Sequence, residues 1–296
     1  MNRWPLLATL LLVLAGLTAC SDDVNASKNR GAPIEAGDKY VALGDSYTAG
    51  GYLGDQTGAE GCLQSDGNYP HLLAKELDLD LDDVSCGGAR AINLEKPQFP
   101  TGGRVPPQLD AVTKDTRLVT LSIGGNESGL FASIVVKCVN LGGEDPTGSP
   151  CTDLAAQRSA KLSQLIDKVA SDIEDAVGDI LDRAPEARVV IVGYPQVIPA
   201  TGWCPAMPLA PADYPVGREL FSEVTRALEA GAEKAGAEYI DVWSATEGHD
   251  ICAKDPWVAG ASPDPKRGGF AFHPYIEEQQ AVTDLLVKQL GDTAPD

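Results

Sequence analysis

Positive charge is scarce in this chain: 23 Lys and Arg residues stand against 43 Asp and Glu, for a formal net charge of −20. Such a surface repels phosphate backbones and anionic headgroups, which excludes nucleic acid as a partner and charge attraction as a route to a membrane. No Cys-x-x-Cys or paired-His spacing occurs, so the seven cysteines do not read as a zinc site and no metal is expected. Gly-x-Ser-x-Gly is also missing, which removes the strand-to-helix elbow that many hydrolytic serines occupy. No apolar run reaches the ~20 residues that a bilayer span needs. The one long apolar stretch, Leu6–Leu17, follows Arg3 and ends in Leu17-Thr18-Ala19-Cys20. It reads as a signal peptide covering residues 1–19.

The Leu-Thr-Ala-Cys ending resembles a bacterial lipobox, whose cysteine is acylated with diacylglycerol and becomes the mature N-terminus. Cys20 is then a lipidation site, and ordinary secretory cleavage near Ala19 is the alternative. Either route exports the chain, and the lipid is its only expected link to a membrane. Setting Cys20 aside leaves an even number of cysteines in an oxidising compartment, so disulfides are expected. Neighbour pairing gives Cys62–Cys86, Cys138–Cys151 and Cys204–Cys252, although spacing alone does not choose the connectivity. Residues 20–38 are polar and lack apolar periodicity, as expected of a flexible tether. Residues 39–296 show no repeat or break in composition and read as one domain.

Within that domain, short apolar runs bounded by glycine alternate with amphipathic stretches, the pattern of parallel βα units. Strands are predicted at Tyr40–Leu43, Asp83–Cys86, Arg117–Ile123, Arg188–Val192 and Glu238–Val242, giving a five-stranded sheet. Apolar residues at helical spacing predict one long helix over Leu154–Asp182 and others over Gly217–Lys234 and Tyr275–Leu290. Ligands of doubly wound sheets sit beyond the carboxyl ends of the strands, and the unusual residues follow those runs.

Gly44-Asp45-Ser46 places a serine directly after the first strand, where its hydroxyl can be exposed and its backbone N–H left free. Gly124-Gly125-Asn126-Glu127 ends the third strand with a side-chain amide able to face an oxyanion. Ser85-Cys86-Gly87-Gly88 offers a further backbone N–H at Gly88. Each of these alone is equally explained as a tight turn or a helix cap. Of the three histidines, His273 stands out, in Phe270-Ala271-Phe272-His273-Pro274 before the last helix, with Pro274 suited to that helix's first turn. His71, beside Tyr69-Pro70 at a helix start, reads as a capping or surface residue, and His249 as a brace in a cysteine-linked loop. Leu130, Phe131, Ile134, Val135 and Val136 form an apolar run that suits either an acyl pocket or the core.

Taken together and in this order, the four segments resemble the SGNH, or GDSL, hydrolase family over Tyr40 to about Leu290. The resemblance implies an α/β, flavodoxin-like three-layer α/β/α sandwich with a five-stranded parallel sheet, and acyl-serine chemistry without a cofactor. Residue by residue it implies Ser46 as nucleophile, His273 as base, and an oxyanion hole from the N–H groups of Ser46 and Gly88 with the Asn126 side chain. The six cysteines, Gly193-Tyr194-Pro195 and Pro256-Trp257-Val258 are similar to the actinobacterial secreted lipases and esterases, which implies consecutive disulfide pairing. Two departures stand out. Phe270 replaces the aspartate that most members carry three residues before the histidine, and the resemblance implies that the Phe270 main-chain carbonyl supports His273 instead, with Asp264 as a remote alternative. Glu127 replaces an aspartate. The expected protein is a monomeric, exported esterase or lipase acting on a small-molecule or lipid ester. A polysaccharide deacetylase or phospholipase using the same site, or a non-catalytic surface lipoprotein, are the alternatives.

Overall fold

The computed structural model describes residues 32–291. The leader, Cys20 and most of the tether lie outside the described residues. Five parallel strands form the sheet: β1 (Lys39–Gly44), β2 (Asp80–Asp83), β3 (Thr116–Ser122), β4 (Arg188–Val192) and β5 (Glu238–Ile240). Their spatial order is β2-β1-β3-β4-β5. Strand order reverses at β1, so a crevice opens between the carboxyl ends of β1 and β3.

The central strands are buried along nearly their whole length because the sheet is covered on both faces. Successive side chains point to opposite sides: Val41, Leu43, Val119, Leu121, Val189 and Ile191 enter one core, whereas Tyr40, Ala42, Leu118, Val190 and Val192 enter the other. Helices α4 (Ser159–Arg183) and α5 (Tyr214–Ala235) fill the first core through residues such as Val169, Ile173, Phe221 and Val224. Helices α2 (Tyr69–Leu77) and α6 (Ile276–Gly291) fill the second through Leu73, Val282 and Leu286. A four-residue helical turn, α1 (Ser46–Ala49), follows β1 and is capped by the Asp45 side chain on the N–H of Tyr47.

Three boundaries differ from the sequence reading. Regular β2 is Asp80–Asp83, and only two further ladder bonds, Val84 to Ala42 and Cys86 to Gly44, continue toward Cys86. The long helix over Leu154–Asp182 is two helices, α3 (Pro150–Gln157) and α4, broken at Arg158, whose backbone leaves the helical region at φ −113°, ψ 9°. The first turn of α3 is held independently: Asp213 accepts from the N–H groups of Cys151 and Thr152, and Cys151 is bonded to Cys138. Finally, β5 stops at Ile240 because Asp241 caps a short helix, Val242–Ala245, by accepting from the N–H of Ser244. The disulfides are Cys62–Cys86, Cys138–Cys151 and Cys204–Cys252.

Candidate active site

The turn after β1 requires glycine at position 44: its φ is +154°, and a Cβ there would lie 2.2 Å from Thr48 Oγ1 and 2.7 Å from Ser122 O. Gln108 clasps the same residue, accepting from its N–H at 2.8 Å and donating to its carbonyl at 2.9 Å. Asp45 N–H donates to Ser122 O at 3.0 Å, joining the ends of β1 and β3. Ser46 is thereby fixed at the start of α1, and its N–H has no acceptor among the described residues.

His273 reaches Ser46 from the far end of the chain. Its Nε2 lies 2.8 Å from Ser46 Oγ. The histidine loop is zipped to a neighbouring segment, with Ala259 N–H donating to His273 O, Phe272 N–H to Ala259 O, and Tyr275 N–H to Trp257 O. Pro274 pairs with Val258 in that zipper, two residues before α6 begins at Ile276, rather than opening the helix. Tyr47 OH donates to Phe272 O at 2.8 Å, and Gln279 on α6 donates to Tyr47 O at 3.1 Å, so α1 and the histidine loop are bonded directly.

The main-chain support of His273 is the carbonyl of Ala271, 2.8 Å from Nδ1, and not that of Phe270. Phe272 adopts a left-handed φ of +64°, which turns the chain and carries the Ala271 oxygen alongside the ring. The Phe270 carbonyl instead accepts from the backbone N–H of His273 at 3.1 Å, while its ring stacks on the imidazole with centroids 3.6 Å apart. Asp264 is spent in its own turn, its Oδ1 accepting from Lys266 N–H at 2.9 Å. Burial among these rings pushes the His273 pKa down to about 4, against a smaller opposing effect of the Ala271 carbonyl. A proton on Nδ1, donated to Ala271, leaves Nε2 as the acceptor facing the serine hydroxyl.

Gly88 has φ +74° and an N–H without an acceptor among the described residues. Its segment is held by the Cys62–Cys86 disulfide and by Gly87 N–H donating to Cys62 O at 2.7 Å. Asn126 Nδ2 donates to Ala89 O at 3.0 Å, with Asp45 Oδ2 3.5 Å away, so one amide hydrogen is engaged and the second is only loosely held. Glu127 turns back and accepts from Ala91 N–H at 2.6 Å, a second stitch between the Gly88 and Asn126 loops. Burial raises its carboxyl above the usual range. Asp45 is fully buried and pushed up to about 7 by desolvation, opposed by its bond from Tyr194.

Beside Ser46 and His273 lies a cleft of about 230 Å³, walled by Phe131, Val135, Val136, Phe221 and Phe272, with Asn126 at its edge. Of the Leu130–Val136 run, Leu130 belongs to the core and Phe131, Val135 and Val136 to the cleft wall. Gly88 does not line the cleft. A larger hollow, between α4 and α5, is lined by none of these groups. His71 bonds to Asn68 at the start of α2, and His249 stacks on Trp257 while its Nδ1 meets Asp255 O at 2.9 Å; neither approaches Ser46. Among the described residues no group of three or more His, Cys, Asp or Glu side chains is placed to hold a metal ion. Sequence reasoning missed Gln108 and Ala271, and assigned no role to Tyr47 or to the tyrosine of Gly193-Tyr194-Pro195.

A doubly wound β2-β1-β3-β4-β5 sheet with a serine hydroxyl offered to a histidine at its carboxyl edge has the SGNH-like architecture. The solved structures of phospholipase A1 from Streptomyces albidoflavus (TM-score 0.67, 26% identity, 86% of this chain and 99% of that one) and of an extracellular lipase from Streptomyces rimosus (TM-score 0.68, 26% identity, 84% and 98%) share it. The family model described as the GDSL-like lipase/acylhydrolase family matches residues 42–277, and the chain belongs to that family, as a carboxylic ester hydrolase. It is 38% identical over 222 residues to Lipase 2 of Streptomyces coelicolor, covering 72% of each chain.

Proposed function

We propose that the protein is an exported serine esterase or lipase that hydrolyses lipid or small-molecule esters through an acyl-Ser46 intermediate. The observation that carries this reading is the 2.8 Å approach of His273 Nε2 to Ser46 Oγ at the mouth of an apolar cleft. His273 takes the Ser46 proton as Oγ attacks the ester carbonyl. The tetrahedral oxyanion accepts from the N–H groups of Ser46 and Gly88 and from Asn126 Nδ2. The imidazolium returns its proton to the leaving alcohol, and water activated by the same ring then releases the acid.

The walls of Phe131, Val135, Val136 and Phe221 suit an acyl chain rather than an acetylated sugar, which favours esterase or lipase over polysaccharide deacetylase. Three disulfides suit an oxidising compartment and agree with the export signal over residues 1–19. Anchoring through acylated Cys20, with residues 20–38 as tether and 39–296 as a monomeric catalytic domain, completes the reading.

The test is hydrolysis of a chain-length series of nitrophenyl esters by the soluble domain, wild type against Ser46→Ala. Activity that the substitution abolishes is expected, and the preferred acyl length measures the cleft. Equal inertness of both proteins, together with failure of a fluorophosphonate to label Ser46, would overturn the catalytic reading in favour of a binding lipoprotein.

A further inference from the structure

Tyr194 follows β4, is fully buried, and does not line the cleft. Its hydroxyl donates to Asp45 Oδ2 at 2.7 Å and accepts the backbone N–H of Gly125 at 3.1 Å. Its ring is wedged edge-on between Tyr47, at 5.2 Å, and Phe131, at 5.1 Å. Asp45 immediately precedes Ser46, and Gly125 immediately precedes Asn126. One hydroxyl therefore bridges the two segments that carry the serine and the amide, and it stands just beyond a third strand that carries neither. The carboxylate oxygen it holds is the same one that lies 3.5 Å from Asn126 Nδ2.

From this bridge we infer that Tyr194 is a positioning residue for the oxyanion hole, setting the distance and orientation of Asn126 relative to Ser46. The inference rests on the proposed role of Asn126 as an oxyanion donor. Its physical basis is that donors act by preorganisation: a donor displaced by a fraction of an ångström loses more against the transition state than against the bound ester. Removing the hydroxyl leaves Asp45 Oδ2 without its short donor and Gly125 N–H without an acceptor. The loops after β1 and β3 then keep only the Asp45–Ser122 bond and the loose Asn126–Asp45 contact close to the reacting groups.

The experiment is a double-mutant cycle read as kcat and KM on a nitrophenyl ester, with thermal unfolding measured on every protein. Tyr194→Phe keeps the ring packing and is expected to lower kcat about 10- to 100-fold while leaving KM unchanged. In the Asn126→Ala background the same substitution is expected to lower kcat no further, because the group it positions is gone. A purely structural tyrosine would lower activity by the same factor in both backgrounds, and that result, or an unchanged kcat in Tyr194→Phe, overturns the inference. If Asn126→Ala by itself leaves kcat unchanged, the oxyanion assignment fails first and the inference falls with it. Should Tyr194→Phe not fold, Asp45→Asn decides: it preserves the cap on α1 but replaces the carboxylate that Tyr194 holds. The same kcat loss and the same non-additivity with Asn126→Ala are expected, and additivity overturns the inference.

Discussion

His273 Nδ1 lies 2.8 Å from the carbonyl oxygen of Ala271, and no carboxylate among the described residues takes that place. A neutral carbonyl fixes the tautomer of the ring but brings no full charge to the imidazolium formed during reaction. Where a carboxylate fills that role, its neutralisation costs about 10⁴-fold in kcat. Here Asp264→Asn is expected to leave kcat/KM unchanged, since that carboxylate serves only its own turn. Steady-state kinetics on one ester checks this, and a loss of more than about tenfold would place Asp264 on the imidazole during turnover.

The pH profile follows from the depressed pKa of His273. On the proposed mechanism the neutral ring is the base, and a value near 4 keeps it neutral well below the ordinary histidine value of 6.5. The kcat/KM profile is therefore expected to stay level through pH 6.5 and to fall as pH drops through about 4. An acid limb near pH 7 that Asp45→Asn abolishes would assign the limb to Asp45, whose burial raises it to about 7.

Glu278, fully buried beside Gln279, is pushed up to about 8 by desolvation from an ordinary 4.5. Between those values the folded protein holds a proton that the unfolded chain has released, so stability falls as pH rises from 4.5 to 8. Glu278→Gln keeps an acceptor for Gln279 and removes the titration. Its melting temperature is expected to match wild type near pH 4.5 and to exceed it increasingly toward pH 8. Calorimetric scans at the two pH values decide it, and a constant gap would mean that Glu278 does not titrate with folding.

The Cys62–Cys86 bridge and the Gly87–Cys62 bond hold the segment that presents the Gly88 N–H. Replacing both cysteines by serine should lower stability by about 2–4 kcal/mol and also reduce kcat at temperatures where the fold persists. Denaturant unfolding and turnover at low temperature separate the two effects. Full kcat in the folded variant would show that Gly88 is placed without the bridge.

At the opposite edge of the sheet, Arg188 and Glu238 form a fully buried pair with bonds of 2.8 Å from Nε and Nη2, and Arg188 also donates to the carbonyls of Gln289 and Leu290 on α6. Arg188→Leu strands a buried carboxylate and should cost about 3–5 kcal/mol. Turnover of the molecules that remain folded should be unchanged, since both residues begin their strands while Ser46 and Asn126 follow the ends of β1 and β3.

The central strands were legible because a sheet covered on both sides makes continuous apolar runs such as Tyr40–Leu43 and Val189–Val192. β2 was misplaced because Asp80-Leu81-Asp82-Asp83 pairs on one side only, and an edge strand can be built from residues that otherwise read as loop. The break at Arg158 was invisible to periodicity, since the cause lies in Asp213 and Cys138, remote in sequence. Ser46 and His273 could be read because their chemistry demands those residue types in that order. Ala271 could not, because a carbonyl is common to every residue and only the left-handed turn at Phe272 selects this one. Gln108 and Tyr194 were silent for a similar reason: their bonds are made to backbone and to residues far along the chain.

Ser46 and His273 stand 227 residues apart, and the loop that carries the histidine is bonded to Trp257–Ala259, to Tyr52 and to Tyr47. During synthesis the ribosome delivers Ser46, Gly88 and Asn126 long before His273, the base proposed to activate the serine. On the proposed mechanism, a chain whose His273 is not yet in place has no base to activate Ser46. On that mechanism hydrolysis requires the His273 loop to be docked beside Ser46, so the last steps of folding complete the site.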